Sequence, residues 1–118
     1  ANSEKFTKFS TNGDIFKVSV GPGNNVWIID TNNNVKQWTG KKFSPRPARG
    51  QKANWIGVGK KDGTVYVSEI YSTLRKWNGI NQSFDKVNNI SAQYVAVDGD
   101  GRPWVSDGSA GTIKKAKN

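Results

Sequence analysis

Apolar and polar residues alternate along this chain in short stretches, and this alternation predicts β-strands. Because successive side chains of a strand point to opposite faces, a period of two residues is typical of a strand with one buried face. Three stretches carry apolar residues two apart around a small central residue: FKVSVG (16–21), NWIGVG (54–59) and QYVAVD (93–98). No stretch shows the period of a helix, so we predict an all-β protein.

The pattern repeats with a period of about 39 residues. A second predicted strand with a central aromatic residue follows each of the first: VWIID (26–30), VYVSE (65–69) and PWVSD (103–107). Their aromatic residues, Trp27, Tyr66 and Trp104, stand 39 and 38 residues apart. The segments between first and second strands are rich in Gly, Asn and Asp, which tolerate the positive φ angles of tight hairpin turns. Recurrence in every unit favours a packing role for the three aromatic residues.

Each unit also has a predicted third strand, and the first two units have a fourth. The third strands are NVKQWTG (34–40), TLRKWNG (73–79) and TIKKAKN (112–118), and the fourth strands lie around Phe43 and Phe84. Four short antiparallel strands per repeat are typical of one blade of a β-propeller. We therefore divide the single domain, 1–118, into three repeats: 14–53, 54–92, and 93–118 without its fourth strand.

Residues 1–13 are predicted to supply the missing strand. Phe6 precedes the first repeat at about the spacing that separates Phe43 and Phe84 from the repeats after them. Propellers close with about four to eight blades, and three blades fall short. A head-to-tail homodimer, in which each N-terminal strand completes the partner's last blade, would have six blades and no open edge strand. We therefore predict a six-bladed dimer with strand exchange at the seam.

The amino-acid composition limits the kinds of catalytic site and metal site that this chain can form. The chain has no Cys and no His, which removes the commonest catalytic base and the commonest imidazole metal ligand. We therefore expect no enzyme, no catalytic residues, no metal and no cofactor. Eighteen Lys and Arg against nine Asp and Glu give a formal charge of +9, which favours acidic glycans or acidic lipid surfaces, or serves solubility. Nucleic acid is not expected as a partner, and both a secreted and a cytoplasmic location fit the sequence.

An acidic residue closes each second strand: Asp30, Glu69 and Asp107. A glycosidase needs two carboxylates within about 5–10 Å of each other. Equivalent positions in three blades would lie farther apart than that around a ring. We therefore predict that these residues make hydrogen bonds that build the fold.

The order of these elements resembles the tectonin repeat. The likeness is strongest in VSVGPGNNVWIIDTNNNVKQWTG (18–40) and IGVGKKDGTVYVSEIYSTLRKWNG (56–79), and the third copy departs from it at Asp98, Pro103 and Ala116. Similarity to tectonin-repeat lectins implies a β-propeller and recognition of surface glycans, with bacterial lipopolysaccharide and methylated sugars among the ligand classes. Relatives that act as intracellular scaffolds for proteins or phospholipids keep a second function open.

Trp38 and Trp77 are the leading candidates for a sugar site. Each ends a third strand beside a turn Gly, and the third repeat has Ala116 in their place. Sugars pack their C–H faces on aromatic rings, while polar side chains bind the hydroxyls. Outer-strand packing and a solvated loop are the alternatives. The predicted ligand-binding residues are Trp38, Trp77, Trp55, Tyr71, Arg75, Lys36, Asp30, Asn32 and Glu69.

Segment 41–52 is the most basic stretch and carries five positive charges. It is either a phosphate-binding surface or a solvated connector between blades. The sequence thus predicts a multivalent lectin, and the alternative is an intracellular scaffold for a protein or an acidic phospholipid.

Overall fold

The fold is all-β, as predicted. The structure, a computed structural model, describes residues 5–8, 13–70, 73–106 and 112–116, with the backbone alone at residues 88 and 89. One turn of 3-10 helix spans Pro22–Asn24. The strands within the described residues are β1 (Ile15–Gly21), β2 (Asn25–Asp30), β3 (Val35–Trp38), β4 (Phe43–Pro45), β5 (Trp55–Val58), β6 (Val65–Ser68), β7 (Thr73–Asn78), β8 (Ser83–Ser91), β9 (Tyr94–Val97), β10 (Pro103–Ser106) and β11 (Ile113–Lys115).

In the described part of the chain these strands form three antiparallel sheets. Sheet 1 has the order β1-β2-β3-β4, sheet 2 the order β5-β6-β7-β8, and sheet 3 the order β9-β10-β11. The register repeats, because the small residue of each first strand pairs with the aromatic residue of the second: Ser19 with Trp27, Gly57 with Tyr66, and Ala96 with Trp104. The same pairing of a small with an aromatic residue therefore recurs in all three sheets.

The turns between first and second strands have the predicted backbone geometry. Gly23, Gly63 and Gly101 have φ angles of 66°, 75° and 84°. A residue with a Cβ is strained at such angles, whereas glycine is not. The prediction of positive φ at these turns is confirmed.

The sheets stack through their first strands. Strand β1 packs against β5, and β5 packs against β9. The core between sheets 1 and 2 contains Trp27, Ile29 and Val35 from sheet 1, against Ile56, Val58, Val65, Val67 and Phe84 from sheet 2. A second core joins Tyr66 and Leu74 of sheet 2 to Val95 and Val105 of sheet 3.

Small residues permit the first strands to approach each other closely. A Cβ added to Gly57 would lie 3.1 Å from the carbonyl oxygen of Val95, and one added to Gly21 would lie 2.7 Å from Cγ1 of Val58. Between sheets 1 and 2, the backbone N–H of Val58 donates to Oγ of Ser19 at 3.2 Å. Larger side chains at these positions would push the sheets apart, because packed interiors leave little free space.

The stack ends in two exposed faces. We call them the outer face of sheet 1, formed by Val18, Val20, Val26, Trp38 and Phe43, and the outer face of sheet 3, formed by Tyr94, Ala96, Trp104 and Ile113. Val18 is 56% exposed, whereas its equivalents Ile56 and Val95 are 1% and 3% exposed.

The N-terminal segment does not form a strand with the rest of this chain at residues 5–8, and Phe6 is exposed there. Residues 1–4 and 9–12 lie outside the described residues. The predicted pairing of this segment with a second chain stays a prediction, as does the division into repeats at 14–53, 54–92 and 93–118.

Candidate functional site

The side chain of Asp30 holds the loop between β2 and β3 through hydrogen bonds to the backbone of that loop. Its Oδ1 accepts the backbone N–H groups of Asn32 and Asn34, both at 2.9 Å, and its Oδ2 lies 3.1 Å from Nζ of Lys36. Burial opposes ionisation, but the hydrogen bonds from Asn34 and Lys36 outweigh it and keep the pKa of Asp30 below its ordinary value. The carboxylate is therefore ionised at neutral pH and committed to the loop.

Glu69 and Arg75 form the equivalent pair in sheet 2. Nε of Arg75 donates to Oε1 of Glu69, and its Nη1 donates to the backbone carbonyl of Phe84 at 3.0 Å. The predicted fold-building role of Asp30 and Glu69 is thus confirmed. Ligand binding by Asp30, Asn32, Glu69 and their basic partners stays a prediction, and Tyr71 and Asp107 lie outside the described residues.

Trp77 belongs to an aromatic cluster that joins sheets 1 and 2. Its ring centroid lies 4.9 Å from that of Phe84, its partner across β7 and β8, and 5.5 Å from that of Trp27. The indole is partly buried against the core. The Trp77 ring therefore packs, as the outer-strand alternative expects, and Trp77 is also one of the residues that line a cavity.

This cavity, which we call the Trp77 cavity, has a volume of about 550 Å³. It lies between the outer strand β8 and the turn from β7 to β8. Its polar lining is Lys76, Asn78, Asp85 and Lys86, and its apolar lining includes Trp77. Sites for small ligands have volumes of about 300–1,000 Å³, with a few polar groups around an apolar wall.

Asp85 is the acidic group of the Trp77 cavity. Its Oδ2 accepts from Nδ2 of Asn78 at 3.1 Å, and its Oδ1 accepts from Oγ of Ser83 at 2.8 Å. The hydrogen bond from Asn78 has the largest effect and that from Ser83 the next, and together they lower the pKa of Asp85 below its ordinary value. An ionised carboxylate has about four acceptor positions, so this exposed group can accept further hydrogen bonds from a ligand.

Asp85 is not among the ligand-binding residues predicted from the sequence. A signal existed, because Asp85 directly follows Phe84 in the predicted fourth strand, and the register places it opposite Lys76, next to Trp77. Repeat 1 has no equivalent carboxylate, since Gln37, the equivalent of Lys76, pairs with Ser44. Only a comparison of the fourth strands of the two repeats would have shown this difference.

Trp38 borders a different cavity. Its ring lies 5.0 Å from that of Phe43, its partner across β3 and β4. The cavity beside this pair has a volume of about 300 Å³ and is lined by Asn24, Val26, Trp38 and Phe43. We call it the Trp38 cavity, and it lies on the outer face of sheet 1. Trp38 and Trp77 are equivalent in sequence but border cavities of different composition.

Trp55 is not part of the lining of the Trp77 cavity. Nζ of Lys17 lies 4.2 Å from its ring centroid, and the ring of Tyr94 packs edge-on at 4.8 Å. The three residues occupy equivalent positions in the first strands β1, β5 and β9, so they form a row across the three sheets of the described chain. Trp55, Tyr94 and Trp104 line a further apolar cavity of about 300 Å³ on the outer face of sheet 3.

The basic connector 41–52 has both structural and exposed charges. Nε of Arg46 donates to Oε1 of Gln37 at 3.0 Å, and Nζ of Lys52 donates to the carbonyl of Asn32 at 3.0 Å. Lys41, Lys42 and Arg49 are exposed. Part of the connector thus holds the fold, and part of it presents charge to solvent.

Comparisons with known proteins do not decide the function. No family model matches the chain, and no curated protein matches it. Among the described residues, no helix is long and apolar enough to cross a membrane. The candidate site therefore rests on the geometry of the Trp77 cavity.

Proposed function

We propose that the protein is a glycan-binding lectin and that the Trp77 cavity is its sugar site. The observation that carries this proposal is one open cavity whose lining residues include Trp77, the ionised Asp85, Asn78 and two lysines, Lys76 and Lys86. Aromatic faces bind the apolar C–H face of a sugar, and Asp, Asn and Lys side chains bind its hydroxyls.

Trp77 and Asp85 of this cavity are held in place before a ligand arrives. Trp77 is packed on Trp27 and Phe84, and Asp85 is held by Asn78 and Ser83. A site with few side chains left to order loses less conformational entropy on binding. Asp85 would accept from a pair of sugar hydroxyls, and Lys86 would donate to hydroxyls or to an acidic substituent.

The assembly that we propose is a six-bladed β-propeller made of two chains. Each sheet would be a blade, and residues 1–13 of each chain would complete sheet 3 of the other. The repeated register, the stacking of first strands and the exposed outer faces support this arrangement. Two Trp77 cavities per dimer would bind arrayed surface sugars with an avidity that one weak site lacks.

Ligand titrations followed by NMR would test the sugar site. We expect neutral and acidic monosaccharides, screened as a panel, to shift the indole N–H signal of Trp77. Asp85→Asn should weaken binding about tenfold or more, because it removes the charged acceptor. Asp62→Asn is the matched control, since Asp62 is an exposed carboxylate that does not line the Trp77 cavity.

A panel without any shift at millimolar ligand would overturn the lectin proposal. Equal affinities of wild type, Asp85→Asn and Asp62→Asn would move sugar binding away from this cavity. Trp77→Phe is the preferred aromatic variant because it retains part of the packing against Trp27.

A second candidate function is a scaffold that binds an acidic phospholipid. The exposed Lys41, Lys42 and Arg49 of the connector favour it, together with the charge of +9. Binding to vesicles that contain phosphatidylserine should then fall steeply between low and moderate salt, because exposed charges are screened. Sugar stacking on Trp77 should persist over the same range of salt.

A further inference from the structure

The outer faces of sheets 1 and 3 have complementary aromatic groups. We propose that Trp104 of one chain enters the Trp38 cavity of a second copy, where it packs against Trp38 and Phe43. This inference rests on the proposed dimer, and it names the contact that closes each of the two seams. It also gives Trp38 a role in assembly instead of sugar binding.

The template for this contact is the interface inside one chain. Trp27, at the centre of β2, packs edge-on against Trp77 and Phe84 of the next sheet, with ring centroids at 5.5 Å and 6.0 Å. It is 1% exposed. At this interface, the indole of a second strand thus packs against a Trp–Phe pair formed by the third and fourth strands of the next sheet.

The receiving pair on sheet 1 has the same geometry as this internal pair. The Trp38 and Phe43 rings have a centroid distance of 5.0 Å and an interplanar angle of 54°, and the Trp77 and Phe84 rings have values of 4.9 Å and 55°. Both pairs also have the same register across their strands. The outer face of sheet 1 therefore repeats the surface that receives Trp27.

The inserting residue is equally well matched. Trp104 pairs with Ala96 as Trp27 pairs with Ser19, yet Trp104 is 42% exposed. Its Nε1 donates to Oδ2 of Asp98 at 2.9 Å, so the indole has a fixed orientation. Trp27 is fixed in a similar way, by donation to Oδ1 of Asn25 at 3.0 Å.

The lining of the Trp38 cavity favours an indole over a sugar. Val26, Trp38 and Phe43 are apolar, and Asn24 is the polar member of the lining, whereas the Trp77 cavity has a carboxylate, an amide and two ammonium groups. A sugar buried in the Trp38 cavity would leave hydroxyls without partners, which costs free energy. An indole buries apolar area there at no such cost.

Native mass spectrometry of two variants would test the contact. The wild-type chain of 13.0 kDa should form a dimer. Trp104→Ala and Trp38→Ala should each raise the dimer dissociation constant by roughly 30-fold or more, as the loss of a buried interface Trp does. Conservative variants, Trp104→Phe and Trp38→Phe, should dissociate less, and far-ultraviolet circular dichroism would verify the fold of each chain.

A mixture of the two alanine variants gives the sharpest result. A heterodimer of Trp104→Ala with Trp38→Ala has one intact seam and one doubly altered seam, whereas both seams are damaged in either homodimer. If the two residues touch, heterodimers should exceed the share expected from random pairing. The variants have equal masses, so one of them must be labelled with ¹⁵N.

The possible failures are distinguishable. A monomeric wild type would overturn the contact together with the proposed dimer. Random pairing, or a dimer unaffected by either alanine variant, would overturn the contact alone. Loss of sugar binding in Trp38→Ala with an undiminished dimer would also overturn it and return Trp38 to a glycan site.

Discussion

The inner interfaces and the outer faces of this molecule are made of equivalent residues in different surroundings. Trp27 and Tyr66 are 1% and 8% exposed between sheets, whereas Trp104 at the same position of sheet 3 is 42% exposed. In all three sheets the aromatic residue lies in the second strand and pairs with a small residue of the first strand. The difference shows that the burial of the aromatic residue at this position depends on whether a neighbouring sheet is present.

The two tryptophans predicted to bind sugars, Trp38 and Trp77, also differ in their surroundings. Trp77 packs at an inner interface and borders a cavity with a carboxylate, whereas Trp38 lies on an outer face beside an apolar cavity. Repetition of sequence therefore does not imply repetition of surroundings. A repeat at the end of a stack meets a different neighbour from a repeat in the middle.

The largest effect should come from removing an aromatic residue of the inner interface. We expect Trp27→Ala to lower the free energy of unfolding by about 3–5 kcal/mol, because it leaves a cavity between sheets 1 and 2. Urea titration would measure the loss, which should not depend on protein concentration.

Trp104→Ala is the matched control for this change. It removes the same side chain from the outer face of sheet 3, so its cost should be small for the single chain. In a dimer the cost should increase with protein concentration, because association then contributes to stability. Equal costs for the two variants at low concentration would contradict the distinction between inner and outer faces.

A smaller effect should come from enlarging a small residue of a first strand. We expect Gly57→Val to lower the free energy of unfolding by about 1–3 kcal/mol, because the new side chain would press on Val95 and Ala96 of β9. Differential scanning calorimetry would detect this as a lower melting temperature.

Ala96→Val makes a comparable change on the outer face of sheet 3. It should leave the melting temperature of the single chain nearly unchanged but weaken a dimer, since a partner sheet would meet the added methyl groups. Should Ala96→Val lower the melting temperature of the single chain as much as Gly57→Val does, this face would be packed within one chain.

The smallest effect concerns the acid titration of Asp98. Hydrogen bonds from the indole of Trp104 and then from the backbone of Arg102 lower the pKa of Asp98 from 3.8 to about 2. A carboxyl whose pKa is lowered by folding stabilises the fold above its unfolded pKa and loses that effect as the pH falls through its folded pKa. The indole N–H signal of Trp104 in the folded protein should therefore shift as the pH falls through about 2.

The corresponding signal of Trp27 gives the internal control. Its indole donates to the amide of Asn25, which does not titrate, so it should stay in place over this pH range. Asp98→Asn should make the Trp104 signal equally insensitive to acid. A Trp104 signal that moves in Asp98→Asn as it does in wild type would assign the titration to another group.

Much of the fold could be predicted from the alternation of residues, and part of the site could not. The strands and the turns with Gly63 and Gly101 follow from local patterns, because strand geometry and positive φ are properties of a few consecutive residues. The fold-building role of Asp30 was also predicted, from the recurrence of an acidic residue at the end of each second strand. The place of Asp85 in the site was not, since its position beside Trp77 depends on the register of β7 with β8.

The sequence by itself determined the repeat of about 39 residues, the all-β class and the residue types that face each other across the strands. Only the tertiary structure decided which of the equivalent aromatic residues are covered and which cavity has a carboxylate. The physical reason is that alternation orients a side chain to one face of its sheet, but an aromatic residue at the centre of a second strand is covered only where another sheet packs against that face. For Trp27 that sheet lies in the same chain, and for Trp104 we propose that it comes from a second copy.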